Sequence, residues 1–299
     1  MNRLVGISIG ELQKKYGDRR ALEIAAEIGA DAVDFNLKAE PYEEGSVYDR
    51  PDEAIAAYYR ELGEYAASLG LVISQTHGRC RSFCGDEEKD TVTTEKCRLD
   101  CIATAALGAP VCVIHSVATG SVGADADPQY MRDLNHSLFM TILPFAKRYG
   151  VKIAAETFGD SAKYGCVDFF GDIEEFMAAC QRIEETALAP YFTVCVDTGH
   201  SNKAMRFGNP APADVIRRIG GRTTILHLND NDTLTDQHKI PMTGCIDWAD
   251  VFDALDEVGY SGVYNMELNL KHFGEEFMVE HAAFAVRVLR HLLKGRYGG

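Results

Sequence analysis

Short apolar runs alternate with longer amphipathic stretches along the chain. The runs are LVGISI (4–9), DAVDFN (31–36), LVISQTH (71–77), VCVIHS (111–116), VKIAAE (151–156), FTVCVD (192–197), TILHLN (224–229) and GVYNME (262–267). They are rich in Val and Ile and bounded by Gly or polar residues, as strands are. Most are nearly continuous in apolar character, the pattern of parallel strands covered on both faces. Between them lie helical patterns. DRRALEIAAEIGA (18–30) places apolar residues 22, 25, 26 and 28 roughly on one face. PDEAIAAYYRELGEYAASLG (51–70) opens with Pro in its first turn and closes with Gly. A glycine precedes several of the strand runs, at Gly29, Gly70, Gly108, Gly150 and Gly259. Each is expected to take the left-handed conformation that ends a helix. Eight strand–helix units predict an α/β fold, a (β/α)8 TIM barrel, rather than a doubly wound open sheet. No Gly-rich phosphate fingerprint follows the first strand. No Ser/Pro-rich linker or charge block divides the chain, which reads as one domain over 1–299.

Composition narrows the partners. A chain of 299 residues with 46% hydrophobic content can bury a large core. Its formal net charge of −15 opposes binding to phosphate backbones and anionic membranes. The densest basic run, KKYGDRR (14–20), is short, so neither a nucleic acid nor a membrane is an expected partner. The opening MNRLVGISIGELQKK has too brief an apolar segment for a signal peptide, and a cytoplasmic location is expected. Nine cysteines without an export signal suggest reduced thiols. Cys97 and Cys101, four apart in TEKCRLDCIATAALG, are expected to share a buried helix face. Cys80 and Cys84 lie in a polar loop, where a zinc or redox role stays open.

The chemistry of a parallel barrel sits at the C-terminal ends of its strands. Those ends carry His77, His115, Glu156, Asp197, His227 and Glu267. Singly, a carboxylate there reads as a rim salt bridge and a histidine as a satisfied core residue. Together they would crowd three carboxylates into one bowl, where repulsion and desolvation would force protonation. A divalent cation removes that cost and takes oxygen and nitrogen ligands of this kind. Glu156, Asp197, His227 and Glu267 are therefore the expected metal ligands. FTVCVDTGHS (192–201), a strand ending in Asp197 with His200 three residues on, takes its meaning from that set.

The order of motifs resembles the xylose isomerase-like barrels. The matching residues are ETF from Glu156, VDTGH ending at His200, LHLND around His227, MEL around Glu267 and DQHKIPMTGCIDW (236–248). That group includes the epimerases and isomerases related to tagatose 3-epimerase, inosose isomerase and dehydratase, and endonuclease IV. The resemblance implies a sugar isomerase or epimerase acting on a small ketose, inosose or related polyol through an enediolate. It makes Glu156 and Glu267 the catalytic acid–base pair. It assigns His77, His115, His200, Asp236 and His238 to substrate binding, with one divalent ion as cofactor. Mn2+ is the first choice, and Mg2+, Co2+ and Zn2+ are compatible. Dehydration of an inosose-type substrate needs the same site.

Two other readings stand beside it. The endonuclease IV pattern would use three zinc ions. The ligand groups would be His77, His115 and Glu156; Glu156, Asp197, His227 and Glu267; and His200, Asp236 and His238. A sugar-binding barrel without catalysis is the third reading, and the two opposed carboxylates argue against it. Phe83, Phe158 and Tyr164 are placed to pack on a sugar or to pin loops. Arg79, Arg81 and Lys239 are placed to meet an anion or to be solvated. The substrate-stacking tryptophans of the tagatose epimerase group are absent, which argues against a free ketohexose. The one Trp, Trp248, opens a helix and is expected to be structural. A homo-oligomer is compatible with all of this.

Overall fold

A computed structural model describes residues 3–40, 42–78 and 83–297. Eight strands run parallel: β1 Val5–Ser8, β2 Ala32–Asn36, β3 Val72–His77, β4 Val111–Ile114, β5 Lys152–Glu156, β6 Phe192–Asp197, β7 Thr223–His227 and β8 Tyr264–Met266. Their order in the sheet is β8-β1-β2-β3-β4-β5-β6-β7. The Leu228 amide donates to the Asn265 carbonyl (2.8 Å) and the Glu267 amide to the Leu228 carbonyl (3.2 Å), joining β7 to β8 and closing the ring. This is the expected (β/α)8 barrel. Strand ends shift by a residue or two from the sequence reading, and two of the shifts touch the site: β4 ends at Ile114 and β8 at Met266, so His115 and Glu267 each stand one residue beyond their strand.

The helices begin and end for local reasons. Asp86, Asp127, Asp172 and Asp247 each accept a backbone N–H from the first turn that follows, satisfying donors the helix itself leaves open. Gly29, Gly70, Gly108, Gly150 and Gly259 all have φ between 70° and 81°. A side chain at any of them would meet no atom within 4 Å, so it is backbone handedness that selects glycine there.

Alternation along the strands separates two cores. Cys112, Ile153, Ala155, Val194, Val196 and Leu226 belong to the main core packed between sheet and helices. Val111, Val113, Ala154, Cys195 and Ile225 form a second, small apolar cluster on the other face. His115, Glu156, Asp197 and His227 each follow a member of that second cluster by two residues. The period of two therefore puts them on the same face, one pleat above an apolar floor. The ladder slips twice. Val33 pairs Ile73 but Asp34 pairs Gln75, and Val194 pairs Thr223 but Cys195 pairs Ile225. The extra residue Ser74 turns its hydroxyl to the Val33 carbonyl (3.2 Å). Such bulges re-aim the residues beside them.

Trp248 is structural, as expected. It is buried, and its indole N–H donates to Asp230 (2.8 Å), whose other oxygen accepts the Asn231 and Ile246 amides (2.9 and 3.2 Å). The loop after β7 is thereby pinned at both ends. Cys97 and Cys101 are buried on the helix Glu87–Ala106, also as expected. The cysteines among the described residues are free thiols, and Cys84 is half-buried. Cys80, Arg79 and Arg81 lie outside the described residues. No described helix is long and apolar enough to cross a membrane.

Candidate metal centre

Glu156 ends β5, Asp197 ends β6, His227 ends β7 and Glu267 follows β8. Each offers one ligand atom, and these four atoms lie within 4.8 Å of one another. Glu156, Asp197 and His227 are fully buried, and the Glu267 side chain is 19% exposed. The imidazole Nδ1 of His227 faces Glu156 Oε1 at 2.9 Å and Glu267 Oε2 at 3.3 Å. Glu156 Oε2 is sealed from solvent and has no hydrogen-bond partner, although His115 Nε2 lies 3.0 Å away. A buried set of three carboxylates and one imidazole, with an oxygen left unpartnered, fits a hard or borderline divalent ion.

Asp197 is held from two sides. Its Oδ1 accepts the His200 amide (2.7 Å), capping the helix Thr198–Ala204, and its Oδ2 accepts Asn229 Nδ2 (2.9 Å). Glycine at 199 makes the second contact feasible: a Cβ there would sit 1.8 Å from Asn229 Oδ1. The DTGH motif thus encodes a strand end, a helix cap and a close approach at once.

Histidines surround this set. His77 stacks between His115 and His227, with ring centroids 5.0 and 5.2 Å apart. Its Nε2 is 2.9 Å from His115 Nε2, and its Nδ1 is 3.2 Å from Glu267. His77, His115 and Glu156 form a second group with ligand atoms within 4.8 Å. His200, Asp236 and His238 form another at the mouth. There His200 Nδ1 donates to the Thr157 carbonyl (3.1 Å) and His238 Nδ1 to the Glu267 carbonyl (3.0 Å). Both rings therefore turn Nε2 toward Asp236, at 3.6 and 3.3 Å. His238 takes φ of 46°, a left-handed conformation that costs a non-glycine residue energy and is found at functional sites.

The charges are interdependent. Burial alone would push the Glu156 carboxyl up, but His115 and His227 outweigh it and hold it well below the usual range. Burial likewise opposes ionisation of Glu267, and His227 and His77 overcome it. Asp197 goes the other way: burial raises it, and the Glu156 and Glu267 charges add to the effect. Desolvation drives His115 down to about 3, so it is a neutral donor at physiological pH. Burial lowers His238 less than Asp236 and Glu267 raise it, to about 9.

Of the loop aromatics, Phe158 lies against the site, with ring centroids 5.5 Å from His115 and 4.8 Å from His200. Phe83 is buried, and Tyr164 is exposed on the small hairpin pairing Asp160–Ser161 with Cys166–Val167. Lys239 is half-buried and bonds Asp230 through its backbone. Four contributors went unnoticed in the sequence: Asp34, Asn229, Thr157 and Asp168. A carboxylate in mid-strand in DAVDFN was the available signal for the first.

Asp168 ties the loops after β4 and β5 together, accepting the Thr119 amide (2.8 Å) and the Phe170 amide (3.3 Å). Burial pushes its carboxyl up to about 6, against those two N–H groups. An ordinary unfolded Asp titrates near 3.9. Between those values the folded chain holds the proton more tightly, so Asp168 makes stability fall as pH rises through the window. Asp168→Asn should remove this contribution. Urea unfolding at pH 4 and pH 6.5 should show the variant gaining roughly 2–3 kcal/mol on the parent across that interval.

A family model described as a xylose isomerase-like TIM barrel matches residues 22–289. An uncharacterized protein of Methanocaldococcus jannaschii, MJ1311, is 29% identical over 136 residues, 45% of this chain and 43% of that protein. The matched stretch thus spans less than half of that relative. Among solved structures, a D-tagatose 3-epimerase-like protein superposes with a TM-score of 0.72 at 21% identity, covering 97% of both chains. The IOLI protein with a bound zinc atom superposes with a TM-score of 0.71 at 16% identity, covering 98% of this chain and 97% of that one. At these identities the likeness is one of fold. The family match encloses β2 to β8 and every residue of the clusters described above, and the chain belongs to the xylose isomerase-like TIM barrel family.

Proposed function

We propose that this chain, acting as one domain over 1–299, is a divalent-metal-dependent sugar isomerase or epimerase. Its substrate is a small ketose, inosose or related polyol. The observation that carries the reading is the convergence of Glu156, Asp197, His227 and Glu267 on one buried point. A bound ion, Mn2+ by preference with Mg2+, Co2+ or Zn2+ also suited to these donors, supplies positive charge that acidifies a hydrogen beside a carbonyl and offsets the developing enediolate. Glu156 and Glu267 do the proton work: one carboxylate removes the hydrogen and the other returns it. Return to the opposite face of the same carbon is epimerisation, and return to the neighbouring carbon is isomerisation. Loss of a β-hydroxyl from the same intermediate is the dehydratase alternative. His200, Asp236 and His238 at the mouth bind substrate hydroxyls, with Phe158 beside them, and His77 and His115 contact the substrate from deeper in the bowl. The tagatose 3-epimerase-like neighbour supports the substrate class, and the zinc-bound neighbour supports the ion.

The test is incubation of Mn2+-supplemented protein with a panel of ketoses and inososes in deuterated water. Deuterium should enter an α-carbon of at least one of them. No exchange across the panel, with cleavage of an abasic duplex instead, would overturn the reading.

A second reading has its own observation. The groups His77–His115–Glu156 and His200–Asp236–His238 complete the ligand pattern of a three-zinc phosphodiesterase such as endonuclease IV. The net charge of −15 weighs against it, since affinity for DNA rests on cations at phosphates. About three zinc ions per chain, with phosphodiester cleavage, would favour it.

A further inference from the structure

The ring of His227 is clasped on both sides. Nδ1 faces Glu156 and Glu267, while Nε2 lies 3.1 Å from Asp34 Oδ2 on the opposite edge. Asp34 sits on β2, 193 residues away in sequence, and is fully buried. Its neighbours Val33 and Phe35 lie in the main core, so alternation along β2 turns its carboxylate into the barrel, opposite the point where β3 carries the extra residue Ser74. Its Oδ1 has no hydrogen-bond partner. Burying a carboxylate with one satisfied oxygen is costly, and such a group persists where its other contact has a function.

We propose that Asp34 is a positioning residue. It accepts the Nε2–H of His227, fixes that tautomer and turns the Nδ1 lone pair toward Glu156, Asp197 and Glu267. The inference rests on the metal reading given above. A ligand histidine whose far N–H is held by a carboxylate is oriented and made more basic, and loss of such a partner typically weakens metal binding about 10- to 100-fold. Asp34 also offers a ligand atom within 4.8 Å of atoms from His77 and His227. An ion seated there would take Nε2 instead, so the two arrangements differ in which ring nitrogen carries the metal.

The experiment uses 15N-histidine-labelled protein and 113Cd2+, with the His227 signals assigned by their loss in His227→Gln. Cadmium should couple to Nδ1 of His227, with a bound proton on Nε2. Titration of Asp34→Asn and Asp34→Ala should show Cd2+ affinity about 10- to 100-fold weaker than in the parent. The parent spectrum decides the tautomer even if a variant fails to fold. Coupling to Nε2, or both variants binding as tightly as the parent, would overturn the role of Asp34 and leave the metal reading intact. A parent protein that binds no divalent ion would overturn the metal reading itself, and with it the purpose assigned to Asp34.

Discussion

Glu156→Gln is expected to slow deuterium exchange into substrate by about a thousandfold or more, with the fold retained. The residue is the hub of the site. Its two oxygens face His227 at 2.9 Å, His115 at 3.0 Å and His200 at 3.6 Å. The amide fills the same space but carries no charge and cannot take a proton. Two losses then combine: the acid–base group itself, typically worth 10²- to 10⁴-fold, and one of three anionic ion ligands. Glu267→Gln should fall to a comparable level, because the reaction needs a carboxylate on each side of the carbon. The measurement is the exchange rate at saturating Mn2+, with circular dichroism to confirm the barrel. Exchange at the parental rate in both variants would remove these residues from the chemistry and require another base.

Removal of divalent ions should abolish exchange, and Mn2+ should restore it. The pH dependence follows from the electrostatics of the ion-free site. Burial lowers the affinity of His227 for a proton, but Cys195, Glu267, Glu156 and the bond to Asp34 raise it well above the ordinary value. The ring thus holds a proton more tightly in the ion-free protein than a free imidazole does. An ion needs the bare nitrogen, so binding must expel a proton. Affinity should therefore rise with pH, by up to about tenfold per unit for each proton released. His115, already neutral, releases none. Calorimetry in buffers of different ionisation enthalpy counts the protons. Binding that is pH-independent between 6 and 8, with no proton released, would contradict this ordering of charges.

The sequence carried the barrel and the four candidate ligands because both have local signatures. A strand shows in six consecutive residues, and a helix end shows in a glycine such as Gly150, whose φ of 72° needs no tertiary partner. The period of two puts Glu156, Asp197 and His227 on one face once their strands are recognised. Asp34 shows where that legibility stops. It reads as one more polar residue in a strand. Its meaning depends on a partner 193 residues on, which no local pattern shows. Phe83, Phe158 and Tyr164 looked alike in loops, yet they end respectively buried, beside the histidines and exposed.

Sequence alone determined the (β/α)8 architecture, the helix caps and the candidate set Glu156, Asp197, His227 and Glu267, since each follows from short-range periodicity and backbone preference. Tertiary structure decided which edge of each imidazole faces which carboxylate, that His77 lies between His115 and His227, and that Asp34 stands behind His227. Those relations are set by ring closure and ladder register, which bring distant segments within hydrogen-bonding distance and leave no trace in local composition.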